Sequence, residues 1–199
     1  MDMITRTGLS LLAEVLEYPG DELTASCRSL IGELGEGRGE AQQAIEEFLA
    51  SIESLSTSRL QEVYAGTFDV NPACCLYAAY HLHGDSYKRG AFMAGLNREY
   101  RERGFEPGND LPDHLPVMFR FLSQLDDPEL ASGLLVHAIL PALAHIVRAF
   151  EVTDNVYAKL AQAVLHALKP DDYVTPESVA RELPVLDRDA TQLRGAAHV

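Results

Sequence analysis

The sequence predicts an all-α protein, a single domain built as a bundle of eight to ten helices. Apolar residues recur every three or four positions over most of the 199-residue chain, as at Leu9, Leu12 and Leu16 near its start. Proline, glycine and small polar residues separate these segments at positions where helices begin and end. No segment combines the alternating pattern of a strand with flanking hairpin turns.

The first four helices are predicted from apolar faces. In chain order, these faces run over residues 9–16, 23–34, 41–55 and 60–64. Tyr18-Pro19-Gly20 ends the first helix, and Ser58 with Gln61 fits a capping box that opens the fourth. The glycines of the 35–39 segment follow no strand, so this segment is predicted to be a flexible link and not a nucleotide-binding loop.

The fifth and sixth helices are predicted from the residues at their ends. Asn71 followed by Pro72 predicts the start of a fifth helix that ends at Gly84. A long sixth helix follows and ends at Gly104, which is expected to adopt the left-handed conformation, with Phe105 folded back as its hydrophobic contact.

The later helices also have predicted starts. Asp113 is expected to cap a seventh helix that is apolar nearly all round and therefore belongs in the centre of the bundle. Asp127 opens a long helical run that Pro141 should kink or split. Thr153 or Asp154 is expected to open the last helix of the domain.

The chain is predicted to divide near residue 170. Residues 1–170 are expected to form the helical domain, and the acidic residues 171–199 a mobile tail, because they contain few large apolar side chains. The longest apolar run, residues 133–147, is interrupted by two histidines and a proline, so no membrane insertion is predicted. The first residues show no secretion signal, and the expected location is cytoplasmic.

Composition narrows the partner class. The formal net charge is −14, and a field of this sign repels phosphate backbones, so nucleic acid is not an expected partner. The same field would attract a basic ligand or peptide, although composition alone also fits an acidic surface that only confers solubility. The three cysteines have no regular spacing and are predicted to be reduced, buried thiols.

The residues show no known catalytic or metal-binding pattern, so no catalytic residue, metal or cofactor is predicted. No glutamate lies three residues before any of the seven histidines, and no His-Glu-x-x-His or Gly-x-Ser-x-Gly sequence occurs. Asp113-His114 leaves two interpretations open at this point: a helix cap beside an exposed histidine, or acid–base groups of an all-α enzyme.

Three motifs carry a family resemblance. They are Tyr64-Ala-Gly-Thr-Phe68-Asp69, His83-Gly84-Asp85-Ser86-Tyr-Lys-Arg89-Gly90 and Leu111-Pro112-Asp113-His114-Leu115-Pro116. Their order and spacing resemble the NarJ family, within the TorD/DmsD-type maturation chaperones, over residues 9–168. Members of that family help to assemble molybdenum-containing nitrate reductases and their relatives.

The resemblance implies a chaperone that is not an enzyme. Its client would be a molybdoenzyme catalytic subunit, most directly the nitrate reductase alpha subunit, bound through its N-terminal leader or remnant leader. Binding would keep the client receptive to the molybdenum cofactor and delay membrane attachment. A stable accessory subunit of an oxidoreductase is an alternative, as is the all-α enzyme that uses Asp113 and His114.

The resemblance also implies a client-binding site. The residues assigned to it are Tyr64, Phe68, Asp69, Arg89, Pro112, Asp113, His114 and Pro116. From the residues alone, the helical spacing of Tyr64 and Phe68 fits the core as well as a binding surface. Arg89 lies one turn into a helix and could instead reach back to Asp85 at a helix corner.

Overall fold

The structure, a computed structural model, describes residues 4–35, 38–151 and 153–168, and in these ranges it contains helices and no strands. The α-helices are α1 (Arg6–Leu16), α2 (Leu23–Leu34), α3 (Gly39–Ile52), α4 (Thr57–Tyr64), α5 (Ala78–His83), α6 (Tyr87–Glu102), α7 (Leu115–Gln124), α8 (Pro128–Leu134), α9 (Leu140–Phe150) and α10 (Tyr157–Leu168). The π-helical turns Ala65–Asp69 and Leu135–Ile139 extend α4 and join α8 to α9. The all-α prediction is therefore confirmed, whereas the predicted tail, 171–199, lies outside the described residues.

The core is built around α7. This helix packs most extensively on α1, while α10 packs on α3, and α2 links the two pairs. Leu115, Val117, Met118 and Phe119 of α7 are each 0% exposed, which confirms the predicted central position of this helix. The three cysteines are buried and free, as expected of small apolar side chains in a helical core.

The predicted end of α6 is confirmed in detail. Gly104 has a positive φ of 66°. The Phe105 N–H donates to the carbonyl of Tyr100 at 2.8 Å, and the two rings lie 5.0 Å apart. This pattern is a Schellman motif, in which a hydrophobic contact closes over the left-handed glycine.

Two predicted helix starts lie a few residues from those observed. Ser56 caps α4 in place of Ser58, because its hydroxyl accepts from the Arg59 N–H at 3.2 Å. The last helix begins at Tyr157, whose N–H donates to the side chain of Asn155 at 2.9 Å. In each case several small polar residues stand in a row, and the spacing of apolar residues does not select between them.

Pro141 is the second residue of α9, which directly follows a π-helical turn, and the predicted disturbance of this helix is confirmed. Pro141 has no N–H, and the wider turn over Leu135–Ile139 accommodates the lost helical hydrogen bond. The whole helix, Pro128–Phe150, has 23 residues and is long and apolar enough to cross a membrane, contrary to the expectation from its interrupted apolar run. Half of its most apolar stretch is buried within the protein, and a core helix can be equally long and apolar.

Candidate functional site

The proline-flanked motif before α7 pairs with the turn before α5. Tyr77 and His114 form an isolated antiparallel bridge. The two hydrogen bonds that flank it run from Ala78 N–H to Asp113 O and from Leu115 N–H to Leu76 O, each at 2.8 Å. The bridge fixes the starts of α5 and α7 relative to each other.

The bridge also explains why the predicted fifth helix starts late. Asn71 accepts from the Ala73 N–H at 3.1 Å, as in an Asx turn, but α5 begins only at Ala78. Tyr77 is extended, with φ −99° and ψ 104°, because it pairs with His114. The prediction that a helix begins at Pro72 is therefore wrong.

Asp113 does not cap α7, and that prediction is also wrong. The N-cap residue of α7 is His114, which forms no side-chain cap hydrogen bond. The Asp113 side chain is 0% exposed and turns toward α5 and α6, where its Oδ2 lies 3.8 Å from Nε of Arg89. Burial raises the pKa of the Asp113 carboxyl, against the lowering effects of Arg89 and of the backbone N–H groups of Asp113 and Ala79.

Arg89 is held from several sides under this carboxylate. Its guanidinium carbon lies 6.0 Å from the ring centre of Tyr77 and 5.6 Å from that of Tyr80, within the range of a cation–π contact. Its Nη1 lies 3.8 Å from Oδ1 of Asp85, so the predicted reach back along α6 is confirmed. Asp85 is 88% exposed and its pair is weak, so the buried Asp113 is the stronger partner.

Buried polar atoms without hydrogen bonds are concentrated here. They are Arg89 Nε, both carboxylate oxygens of Asp113, and His114 Nδ1; among the described residues His137 Nδ1 is the further example. Buried polar atoms are normally hydrogen-bonded, and each exception costs about 1–3 kcal/mol. The Asp113–Arg89 contact therefore adds less to stability than a well hydrogen-bonded ion pair would.

Above the buried pair lies a surface that combines aromatic rings with carboxylates. The rings of Tyr77 and His114 lie 5.2 Å apart, and the His114 side chain is 12% exposed. Asp110 and Asp69 raise the pKa of Tyr77, after burial as the main cause. Burial lowers the pKa of His114, and Asp110 and Glu17 oppose it. We call Glu17, Asp69, Tyr77, Asp110 and His114 the acidic aromatic surface.

Tyr64 and Phe68, assigned to the site from the sequence, lie in the core beneath this surface. They are 5% and 3% exposed, and their ring centres lie 4.8 Å apart. The Tyr64 hydroxyl donates to the Leu16 carbonyl at 2.8 Å, and burial raises its pKa. Tyr18, which contacts the Tyr64 ring, is 55% exposed and carries the aromatic cluster to the surface.

Pro112 and Pro116 are buried and hold the motif in place. The Pro112 carbonyl accepts from the Tyr100 hydroxyl at 2.7 Å, and Pro116 lies in the first turn of α7, where its missing N–H costs nothing. Of the eight predicted site residues, Asp69 and His114 therefore lie on the acidic aromatic surface. Arg89, Pro112, Asp113 and Pro116 support it from inside.

The family follows from comparison with known proteins. The model of the family described as nitrate reductase delta subunit matches residues 32–150, which include all three motifs. The chain belongs to the nitrate reductase delta subunit family. The resemblance inferred from the three motifs is thereby confirmed.

Relatives of this delta-subunit family member are named as assembly chaperones. The chain is 27% identical to the nitrate reductase molybdenum cofactor assembly chaperone NarJ of Escherichia coli (strain K12) over 187 residues, 92% of this chain and 78% of NarJ. It is 26% identical to NarW of the same strain, named as a probable assembly chaperone, over 185 residues, 92% of this chain and 77% of NarW.

A solved structure supports the fold of the delta-subunit family member. It is the crystal structure of a proposed redox enzyme maturation protein from Archaeoglobus fulgidus. The TM-score is 0.56 at 22% identity, and the match covers 83% of this chain and 94% of that one.

Sequence reasoning missed several residues of the surface. Tyr77 meets His114 across 37 positions, and no local pattern marks that pairing. Glu17, at the end of α1, forms an ion pair with Arg120 of α7, 103 positions away. Asp110 could have been found, because it directly precedes the Leu111–Pro116 stretch in the sequence. In the structure its Oδ2 lies 3.8 Å from Nδ1 of His114.

Arg89, whose side chain is 21% exposed, lies 3.8 Å from the fully buried Asp113 carboxylate. An open cleft lies elsewhere, between α2, α3 and the start of α4, lined by Leu23, Arg28 and Glu53 among others. Within the described ranges, no three His, Cys, Asp or Glu side chains come close enough to hold a metal ion.

Proposed function

We propose that this protein is a chaperone that binds the N-terminal segment of a molybdoenzyme catalytic subunit, the nitrate reductase alpha subunit being the first candidate. The observation that carries the proposal is the acidic aromatic surface, placed by the proline-flanked motif of the family. The relatives' names supply the class of client, because NarJ is named as a nitrate reductase molybdenum cofactor assembly chaperone.

The surface suits a peptide with basic side chains. Three carboxylates, Glu17, Asp69 and Asp110, add to a formal net charge of −14 and attract cations. Tyr77, which is partly buried, adds aromatic contact area beside these carboxylates. Tyr18 and Val70, which are 55% and 76% exposed, offer apolar contact for the other face of an amphipathic client helix.

Binding alone is sufficient for this role, and we assign no covalent step to the chain. A client held in one conformation presents its cofactor site in a fixed state, since binding energy shifts the population of client conformations. The same occupancy would delay attachment of the client to the membrane. We place this step in the cytoplasm. The Pro128–Phe150 helix, half of whose most apolar stretch is buried, then serves as a core helix.

The test is calorimetry with a synthetic peptide of about 20 residues from the N-terminus of the alpha subunit, long enough for an amphipathic helix. We expect micromolar or tighter affinity, about −8 kcal/mol or more favourable. The affinity should fall with salt, and it should be lost when the basic residues of the peptide become glutamine.

His114→Ala should weaken binding and leave the helical circular dichroism signal unchanged. The matched control is His166→Ala, because His166 pairs with Glu40 between α10 and α3, away from the surface. If the parent protein binds no such peptide, the proposed function is wrong. If the parent binds and His114→Ala binds equally well, the function stands and the assignment of the site is wrong.

The family description favours a second candidate, a stable accessory subunit. The description names a nitrate reductase delta subunit, which implies a lasting association with the enzyme. Purification of the mature reductase separates the two ideas. A chaperone should be absent from the mature complex, whereas a subunit should be present in equal amounts.

A further inference from the structure

An internal cation already lies against the acidic aromatic surface. Arg120, on α7, forms an ion pair with Glu17 at the end of α1. The two side chains are 36% and 39% exposed, so solvent and an incoming peptide can reach both. Arg120 lies six positions after His114, the N-cap residue of α7, so the ion pair stands within two helical turns of the ring.

The ion pair is not needed to hold α1 on α7. These two helices already share the most extensive packing between any described pair, and Leu12 and Leu16 of α1 are buried at 0% and 1% exposure. A partly exposed ion pair adds little to an apolar interface of this kind. The ion pair has another consequence. Arg120 occupies the Glu17 carboxylate, to which a basic side chain of the client could otherwise bind.

We propose that Arg120 acts as an internal competitor and thereby determines specificity for basic clients. In the free protein its guanidinium neutralises Glu17. When a client binds, one arginine or lysine of the peptide takes over Glu17 and Arg120 moves into solvent. This proposal rests on the proposed function, because it assumes that the surface receives a basic peptide.

Competition of this kind rejects weak ligands. The cations of a peptide must together gain more from Glu17, Asp69 and Asp110 than Arg120 gains from Glu17 alone. A single stray cation gains little by the exchange, and a peptide without cations gains nothing. Selectivity thus comes from the opposing contact as well as from the attractive ones.

The experiment is a double-mutant cycle read by calorimetry with the same alpha-subunit peptide. The variants are Arg120→Gln, Glu17→Gln and the double substitution. Arg120→Gln should tighten binding several-fold, because Glu17 is freed, and Glu17→Gln should weaken it. In the Glu17→Gln background, Arg120→Gln should change the affinity no more than the control does.

Lys159→Gln is the matched control. Lys159 pairs with Glu47 between α10 and α3 at 2.6 Å, the two side chains are 46% and 41% exposed, and the substitution changes the net charge by the same amount. It reports how much a more negative protein attracts the peptide at long range. Arg120→Lys keeps the internal cation and should behave like the parent.

Three outcomes are decisive against competition. If Arg120→Gln and Lys159→Gln tighten binding equally, Arg120 acts only through net charge. If the gain from Arg120→Gln persists without Glu17, the two residues do not act as a pair. In both cases the proposed function stands, since the parent still binds the peptide. If the parent binds no basic peptide, both proposals fall together.

Discussion

Two buried regions that carry predicted site residues are built in opposite ways. Around Tyr64 the polar groups are hydrogen-bonded: Tyr64 donates to the Leu16 carbonyl at 2.8 Å, and Thr67 donates to that of Val63 at 2.6 Å. Around Asp113, neither carboxylate oxygen meets a donor at full hydrogen-bond geometry, and Nε of Arg89 lies 3.8 Å away. The first region is a core whose polar groups are hydrogen-bonded. In the second, a carboxylate is buried without close hydrogen bonds, which lowers the free energy of unfolding.

The two regions differ in how much they contribute to the stability of the fold. Buried polar groups that are hydrogen-bonded contribute to stability, and an aromatic cluster such as Tyr64 and Phe68 adds ring–ring contacts. A buried ion pair with unmet hydrogen bonds is weak support for a fold. Asp113 still contributes to the Tyr77–His114 bridge through its backbone, because its carbonyl accepts the Ala78 N–H beside that pair. Substitutions in the two regions should differ in kind.

The largest effect is expected from Arg89→Met. This change leaves Asp113 buried without its cation, and loss of one partner of a buried pair costs about 3–5 kcal/mol. Urea denaturation should show this loss in the free energy of unfolding, together with weaker peptide binding. Arg59→Met is the control, because Arg59 is 57% exposed and pairs with Glu62 on the surface. A loss below about 1 kcal/mol, as for a surface pair, would show that Arg89 does not hold Asp113.

The sequence predicts the fold well because helical periodicity is a local property. For α1, α2 and α6, the residues that set the apolar spacing and those that end the helix are close together in the sequence. The Gly104 cap succeeds for the same reason, since its three participating residues span only six positions.

The site was harder to predict because it depends on pairs distant in sequence. The sequence singled out the 111–116 motif, but it did not predict how the side chains of the motif are oriented. The bridge from His114 to Tyr77 turns Asp113 inward, and a helix cap is the local alternative that sequence reasoning chose. Glu17 and Arg120 are ordinary surface residues in the sequence and become noticeable only when α1 packs on α7.

A smaller effect is expected from Tyr64→Phe. The change removes the hydrogen bond to Leu16 and keeps the ring contacts, so stability should fall by about 1–2 kcal/mol. Peptide affinity should not change, because Tyr64 lies in the core. His114→Ala should show the reverse, with affinity reduced more than stability. If Tyr64→Phe weakens binding several-fold while remaining folded, the two regions act together and the contrast drawn here is incorrect.

The smallest effect concerns the pH dependence of stability. Burial raises the pKa of Asp113 above the ordinary value of 3.8, so the folded state binds this proton more tightly than the unfolded state. The contribution of the protonated carboxyl to stability is complete below pH 3.8 and is lost as the pH rises through the raised pKa. Asp113→Asn cannot ionise, so its stability relative to the parent should increase over that range.

Asp127→Asn provides a control of opposite sign. The pKa of Asp127 is lowered, first by the Leu130 N–H that it accepts at the start of α8, so its stabilising contribution is present above the ordinary pKa and lost in acid. The stability of this variant relative to the parent should therefore decrease as the pH rises. Urea denaturation from about pH 2 to about pH 8, a range that covers carboxyl groups with lowered and with raised pKa values, should show the Asp127→Asn difference developing below pH 3.8 and the Asp113→Asn difference, of opposite sign, developing above it. Parallel trends would mean that Asp113 is stabilised as a carboxylate, and the buried pair would then resemble the satisfied region around Tyr64.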